Sequence, residues 1–208
     1  HSVHQGSFEL IYIIDYDAGN LRSVQKALQN CGAEVHITSR PDDLAKADKV
    51  IFPGVGSFGK AKESFEKYGF VDAVKEFIKT NKPFLGICLG MQLMFESGEE
   101  SPGVPGLSLF KGRVRRFPRN IKVPHLGWNQ VIQVGASPLW RDIPPNSYFY
   151  FAHSYFIDPE DRSIIVGETD YFGRVPIAIR QDNLFGVQFH PEKSQQHGLE
   201  VLRNFVEL

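Results

Sequence analysis

Cys88 stands between two glycines in Gly86-Ile-Cys-Leu-Gly90, after an apolar run, Pro83 to Ile87, and before residues with helical spacing. Gly-x-nucleophile-x-Gly between a strand and a helix is the pattern of a nucleophile elbow, a tight turn that lifts the middle side chain off the sheet edge. A cysteine there, at a helix N-terminus, meets free N–H groups and a dipole that favour thiolate over thiol. By residue type alone a free cysteine is a small core hydrophobe. The paired glycines turn the reading toward a nucleophile, because a core residue has no need of them. A thiolate nucleophile also needs a base and a group that orients the base. His190-Pro-Glu192 supplies both, directly after the apolar run Leu184 to Phe189. Ends of parallel strands are where such groups collect. With Pro191 fixing the local backbone, His190 and Glu192 project to one side and complete a Cys-His-Glu arrangement by the logic of Ser-His-Asp. One histidine of seven in a proline turn is, on its own, a surface residue. Its combination with the elbow reverses that reading.

Three further stretches carry chemistry-capable residues. Gly54-Val-Gly-Ser-Phe-Gly59 has the spacing of a dinucleotide fingerprint. However, it lies in the third rather than the first strand–helix unit, and Asp72 and Glu76 fall in a helical stretch instead of ending a strand. Backbone N–H groups beside the elbow are the better use, with Gly54 and Val55 on one side and the N–H of Leu89 on the other forming an oxyanion hole. Lys111 to Lys122 holds six basic residues, which read as one solvated face. Tyr148-Phe-Tyr-Phe151 reads as strand core, with Tyr150 and His153 reaching toward a site edge.

Positioning these residues requires a particular architecture. Glu9–Asp15, Glu34–Thr38, Lys49–Phe52 and Pro83–Ile87 are short apolar runs of the kind buried on both faces of a parallel sheet. Helical patterns at Leu21–Cys31, Lys60–Lys67 and Phe70–Thr80 alternate with them, and a short helix fits around Leu44–Ala47. Strands alternating with helices imply right-handed crossovers in an α/β, doubly wound, mostly parallel sheet. Past Glu100, short strand candidates at Arg113–Phe117, Asn129–Val134, Tyr148–Phe151, Ile164–Thr169 and Val175–Arg180, punctuated by Gly, Pro and Asn, predict an antiparallel extension. Leu184–Phe189 returns as a buried strand, and Gly198–Leu208 closes as an amphipathic helix. The 208 residues, 42% apolar with net charge -1, fit a single globular domain from residue 9 onward with no pull toward nucleic acid or anionic membrane. Two cysteines make no disulfide framework, which points to a reducing cytoplasmic setting. No apolar run approaches a membrane span. His1 to Phe8 show no initiator Met and no signal pattern, and read as a tag or processing remnant.

Together, Gly86-Ile-Cys-Leu-Gly-Met-Gln92, Pro53-Gly-Val-Gly56 and Phe189-His-Pro-Glu192 resemble the class I, triad-type glutamine amidotransferases, over nearly the whole chain. Asp15-Tyr-Asp-Ala-Gly-Asn20, Pro124-His-Leu-Gly-Trp-Asn129, Phe151-Ala-His-Ser-Tyr155 and His190-Pro-Glu-Lys-Ser194 are similar to one branch of it, the glutaminases that feed a cyclase in histidine biosynthesis. The resemblance implies a flavodoxin-like three-layer fold and hydrolysis of L-glutamine through a thioester on Cys88, with His190 moving the proton and Glu192 orienting it. It implies that Gln92 and Glu100, with the backbone of Ser154 and Tyr155, bind glutamine, and that the Gly54–Val55 loop completes the oxyanion hole after a peptide rearrangement. It also implies a heterodimeric partner, a (β/α)8 cyclase that receives the ammonia through a channel, with Asn20, Trp128, Tyr150 and Lys193 near the interface. No cofactor or metal is implied. The segment differs from the branch's commoner Asp-Tyr-Gly-x-Gly-Asn by Asp17. Other amidotransferase subunits, a partner-free cysteine hydrolase and a dinucleotide-binding module are the competing readings. Partner identity, partner-free activity and NAD binding respectively separate them.

Overall fold

The computed structural model of the chain describes residues 9–208; the reading of residues 1–8 as a remnant lies outside them. In chain order the strands are β1 (Leu10–Ile14), β2 (Glu34–Thr38), β3 (Lys49–Phe52), β4 (Phe84–Ile87), β5 (Ser97–Gly98), β6 (Gly112–Arg116), β7 (His125–Gln130), β8 (Ile132–Gln133), β9 (Tyr148–His153), β10 (Tyr155–Pro159), β11 (Ile165–Asp170), β12 (Arg174–Gln181) and β13 (Leu184–Val187). The helices are α1 (Arg22–Gln29), α2 (Phe58–Lys67), α3 (Phe70–Lys79), α4 (Leu89–Gln92) and α5 (Gln195–Val206). The expected short helix near Leu44 is a 3-10 turn over Pro41–Lys46.

Eight strands form the central sheet in the order β2-β1-β3-β4-β13-β12-β11-β8. From β2 to β13 the pairing is parallel, and from β13 to β8 it is antiparallel. Every residue of β3 and β4 is buried, because helices cover both faces. Ile51, Leu85 and Ile87 join Val24 and Leu28 of α1 and Val201, Leu202 and Phe205 of α5 in one core. The alternate residues Val50, Phe52 and Phe84 join Phe65 of α2 and Phe70, Val74 and Phe77 of α3 in the other. The two-residue strand period thus divides one apolar run between two cores. Each fully buried Phe adds about 2–3 kcal/mol of transfer free energy. The Phe52 and Phe65 rings, 5.0 Å apart, anchor the α2 face.

The chain departs from expectation in several further places. The strand expected at Asn129–Val134 is divided. Asn129 and Gln130 end β7, which pairs with β9, while Ile132 and Gln133 form β8 at the edge of the central sheet. Val131, buried between them, donates to Ser147 O, and the chain changes sheets there. Strand β10, not foreseen, pairs with β6. The helix after the elbow stops after one turn. The carbonyls of Leu93, Met94 and Phe95, which a longer helix would need, accept instead from Leu107, Leu109, Phe110 and Ser108. Finally, α5 begins at Gln195 rather than at Gly198. A Cβ at Gly198 would lie 1.9 Å from Pro191 O, so this glycine is there for close packing and not as a helix boundary.

Strand order is what assembles the site. Gly86 of β4 pairs with Phe52 of β3 on one side and Gly186 of β13 on the other. The loop at Gly54, the elbow at Cys88 and the segment at His190 therefore emerge side by side at the carboxyl edge. The loop after β1 adjoins them, because β1 lies next to β3. That edge is the crevice position of doubly wound sheets.

Candidate active site

Cys88 itself takes the strained conformation, φ 54° and ψ −118°, which an L-residue adopts at a cost of roughly 1–3 kcal/mol. The flanking glycines serve close approach instead. A Cβ at Gly90 would stand 1.9 Å from Phe52 O, and one at Gly86 would stand 2.5 Å from Met94 Sδ. The N–H of Cys88 donates to Val187 O at 2.8 Å, which pins the elbow to β13. With α4 only four residues long, the aligned peptide dipoles expected behind the thiol amount to little. Its electrostatic support comes from side chains.

His190 is buried, its N–H donates to Tyr150 O at 3.0 Å, and its Nδ1 lies 2.9 Å from Glu192 Oε1. Burial disfavours the imidazolium, but hydrogen bonding to Cys88 and to Glu192 outweighs it and pushes the imidazole pKa up to about 10. The His190 imidazole therefore holds its proton at neutral pH. The second oxygen of Glu192 is buried without a hydrogen-bond partner. Glu192 lines a space of about 20 Å³ that Asn20 also borders.

Cys88, Leu89, Gln92, Glu100, Ser154, Tyr155 and His190 line one cleft of about 360 Å³, with Val55 and Lys193 at its border. Gln92 Nε2 donates to Tyr155 O at 3.3 Å and to Gln188 Oε1 at 3.0 Å. Glu100 Oε2 accepts from the N–H of Phe58 at 3.4 Å. Gln188, fully buried, donates from Nε2 to Cys88 Sγ at 3.7 Å. Sequence reasoning missed Gln188. Its signal was a single polar residue inside the apolar run Leu184–Phe189, two places before His190.

The N–H groups expected to form an oxyanion hole are both engaged by backbone carbonyls. The N–H of Leu89 donates to Gly54 O at 3.2 Å, and the N–H of Val55 donates away from the cleft, to Ala18 O at 3.2 Å. The loop from Asp15 to Asn20 holds this arrangement. The Tyr16 hydroxyl donates to Pro53 O at 2.6 Å, and Tyr16 O accepts from Ser64 Oγ at 2.6 Å. Asp17, at φ 65°, accepts from the Tyr68 hydroxyl at 2.8 Å. A Cβ at Gly54 would meet Tyr16 Oη at 2.5 Å and Gly90 N at 3.0 Å. At Gly54 the Gly-rich loop is thus packed onto the elbow.

Behind the cleft, His153 Nδ1 lies 2.8 Å from Tyr155 O, which only a donor can face, so its Nε2 accepts from His125 Nδ1 at 3.1 Å. Asn129 Nδ2 donates to His125 Nε2 at 3.2 Å. Burial pushes the pKa of His153 down to about 3 and that of His125 to about 4, so both are neutral. The profile of the family described as glutamine amidotransferase class-I matches residues 12–208. The chain belongs to this family. Proteins named imidazole glycerol phosphate synthase subunit HisH are similar over nearly their whole length. The one from Moorella thermoacetica is 50% identical over 95% of this chain and 94% of its own, and the one from Methanocaldococcus jannaschii is 48% identical over 96% and 100%. Among solved structures, the amidotransferase superposes on PurLQS from Thermotoga maritima with a TM-score of 0.79 at 18% identity, covering 97% and 99% of the two chains. A putative GMP synthase subunit from Thermoplasma acidophilum gives 0.73 at 19%, covering 98% and 94%. These two likenesses concern the fold.

The residues expected at the interface of the amidotransferase fall in two places. Trp128 and Tyr150 face each other across β7 and β9 with ring centroids 5.9 Å apart, and Lys193 Nζ lies 6.0 Å above the Tyr150 ring. Leu126 and Tyr148, the alternate residues of the same two strands, are 64% and 53% exposed. Asn20 lies apart, in the loop after β1, where its side chain accepts from the N–H of Arg22. The basic run is a solvated strand face. Val114 is buried, Arg113 and Arg115 point outward, and Arg115 contacts Glu99 and Asp158. No helix among the described residues is long and apolar enough to cross a membrane.

Proposed function

We propose that the chain is the glutaminase subunit of an imidazole glycerol phosphate synthase, a cytoplasmic heterodimer with a (β/α)8 cyclase in histidine biosynthesis. The near-full-length likeness to subunits of that name carries this reading. Two features of the molecule fit it. Leu126, Trp128 and Tyr148 stand exposed around the half-buried Tyr150 beside the cleft, as an apolar surface built for a partner does. The oxyanion donors are turned away, as in a site that awaits a signal before it works.

In this reading, Gln92, Glu100 and the backbone of Ser154 and Tyr155 hold glutamine with its side-chain carbonyl carbon against Cys88 Sγ. The sulfur adds to that carbon, and the oxygen takes up negative charge. The C–N bond breaks as His190 gives its proton to the nitrogen, leaving ammonia and a γ-glutamyl thioester. Water then attacks the thioester and surrenders its proton to His190. The C–S bond breaks and glutamate leaves. Glu192 holds Nδ1 of His190 throughout, which fixes the tautomer and favours the imidazolium. The oxyanion is met by the N–H groups of Leu89 and Val55 once the Gly54–Val55 peptide has turned. Each such donor is worth about 10²–10³ in kcat. Ammonia passes to the cyclase through an internal channel.

The test is covalent labelling by a diazo-ketone analogue of glutamine. A single adduct on Cys88, formed faster when the cyclase and its substrate are added, is expected. An adduct elsewhere, or a rate indifferent to the cyclase, contradicts the reading.

A further inference from the structure

Gln188 is a primary amide with no access to solvent, and burying such a group without hydrogen bonds costs about 1–3 kcal/mol on protein scales. Its Oε1 is met by Gln92 Nε2 at 3.0 Å, and its Nε2 points at a single acceptor, Cys88 Sγ, at 3.7 Å. A thiol is a weak acceptor and a thiolate a strong one. The one-turn α4 offers little dipole. His190 is a second side chain that hydrogen-bonds the sulfur. The backbone of Gln188 is fixed as well, since its N–H donates to Ile177 O at 2.8 Å. A polar side chain has been placed in an apolar strand end where it reaches the nucleophile.

We propose that Gln188 is a further catalytic residue, whose amide N–H stabilises the Cys88 thiolate and holds the sulfur toward the substrate. The same amide sets Gln92 through its oxygen, so nucleophile and substrate-binding side chain share one positioning group. The proposal rests on the reading of Cys88 as nucleophile. It separates Gln188 from a core amide that merely fills space, because only the electrostatic role changes the reactivity of the sulfur in the absence of glutamine.

The experiment measures alkylation of Cys88 by iodoacetamide in the intact chain, peptide by peptide so that Cys31 serves as an internal reference, for Gln188→Leu and Gln188→Glu. Loss of one hydrogen bond to a charged group predicts alkylation of Cys88 slowed about tenfold or more at pH 7 in the Leu variant, with the rate recovering by pH 9. The Glu variant, which sets a like charge beside the sulfur, slows it further. Labelling of Cys31 stays the same, which reports a folded chain. In the cyclase complex, kcat for glutamine falls in parallel with the alkylation rate. Unchanged alkylation of Cys88 in both variants overturns the proposal, and so does a rise in KM alone, which would leave Gln188 only the task of holding Gln92. Should the Leu variant not fold, the Glu variant decides by the same criterion. Full glutamine turnover by Cys88→Ala would sink the nucleophile reading itself. That result is distinct from a dead Cys88 variant whose parent is indifferent to position 188.

Discussion

At Gly90 the cost of a single methyl can be stated in advance. Its Cβ would stand 1.9 Å from Phe52 O and 2.8 Å from the carbonyl carbon of the same residue, so β3 or the elbow must move. Gly90→Ala is expected to cost about 3 kcal/mol, read as a lowered urea midpoint with the slope preserved. Gly86→Ala should cost less, because the nearest atom there is the far end of the flexible Met94 side chain. An unchanged midpoint for Gly90→Ala would contradict the packing. At this scale the sequence was most readable where chemistry imposes spacing. Cys88 and His190, read from separate motifs, line one cleft, and His190 Nδ1 lies 2.9 Å from Glu192 Oε1. What stayed hidden was long-range. Nothing within Gln188's own neighbourhood says that it reaches Cys88, a hundred positions away, and the sheet register alone brings them together.

The loop from Asp15 to Asn20 shows what an element contributes that no residue does alone. If the Gly54–Val55 peptide turned in place, Gly54 O would face Ala18 O, and two carbonyl oxygens would oppose each other. The loop must therefore yield before the hole can form, and the Asp17–Tyr68 hydrogen bond is its outermost tie. We expect Tyr68→Phe to raise kcat of the partner-free chain about two- to fivefold, within what one exposed hydrogen bond supports. KM and the rate of the cyclase complex should stay as they are. A steady-state glutaminase assay on both forms checks this, and an unchanged free rate would release the loop from that role. Elements were legible where one period ran undisturbed, as in β1 to β4 and in α1 to α3. They were misjudged where another segment took the hydrogen bonds, as residues 107–110 do to the helix after the elbow, or where glycine served packing, as at Gly198.

For the whole molecule, protonation gives a stability profile. His153 and His125 are neutral when folded and titrate near the ordinary histidine value when unfolded. Between about pH 6.5 and pH 4, the unfolded chain therefore binds more protons, and stability falls as pH falls. His190 has the opposite sign. Its raised pKa contributes stability that is full below about 6.5 and is lost as pH rises through about 10. Denaturant midpoints should peak near pH 6.5, and Cys88→Ser should flatten the alkaline limb by removing the largest of the groups that favour the imidazolium. A monotonic profile would contradict these assignments. The layered architecture was the most legible feature of all, since continuous apolar runs and helical spacing dictate it. How β7 and β9 leave the central sheet was not, because a two-stranded ribbon with one exposed apolar face looks in sequence like any other strand pair.

The hydrogen bond from Leu89 to Gly54 O also constrains how ligands and partner must influence each other. Glutamine in its ground state asks nothing of the oxyanion donors, so it should bind with similar affinity whether the peptide is turned or not. A tetrahedral mimic, such as an aldehyde that Cys88 captures as a hemithioacetal, demands the turned form. In the proposed complex, thermodynamic reciprocity makes the factor by which the cyclase tightens the aldehyde the factor by which the aldehyde tightens the cyclase, while glutamine should leave the partner's affinity nearly untouched. Two titrations, one in each order, would read the free energy stored in that single peptide.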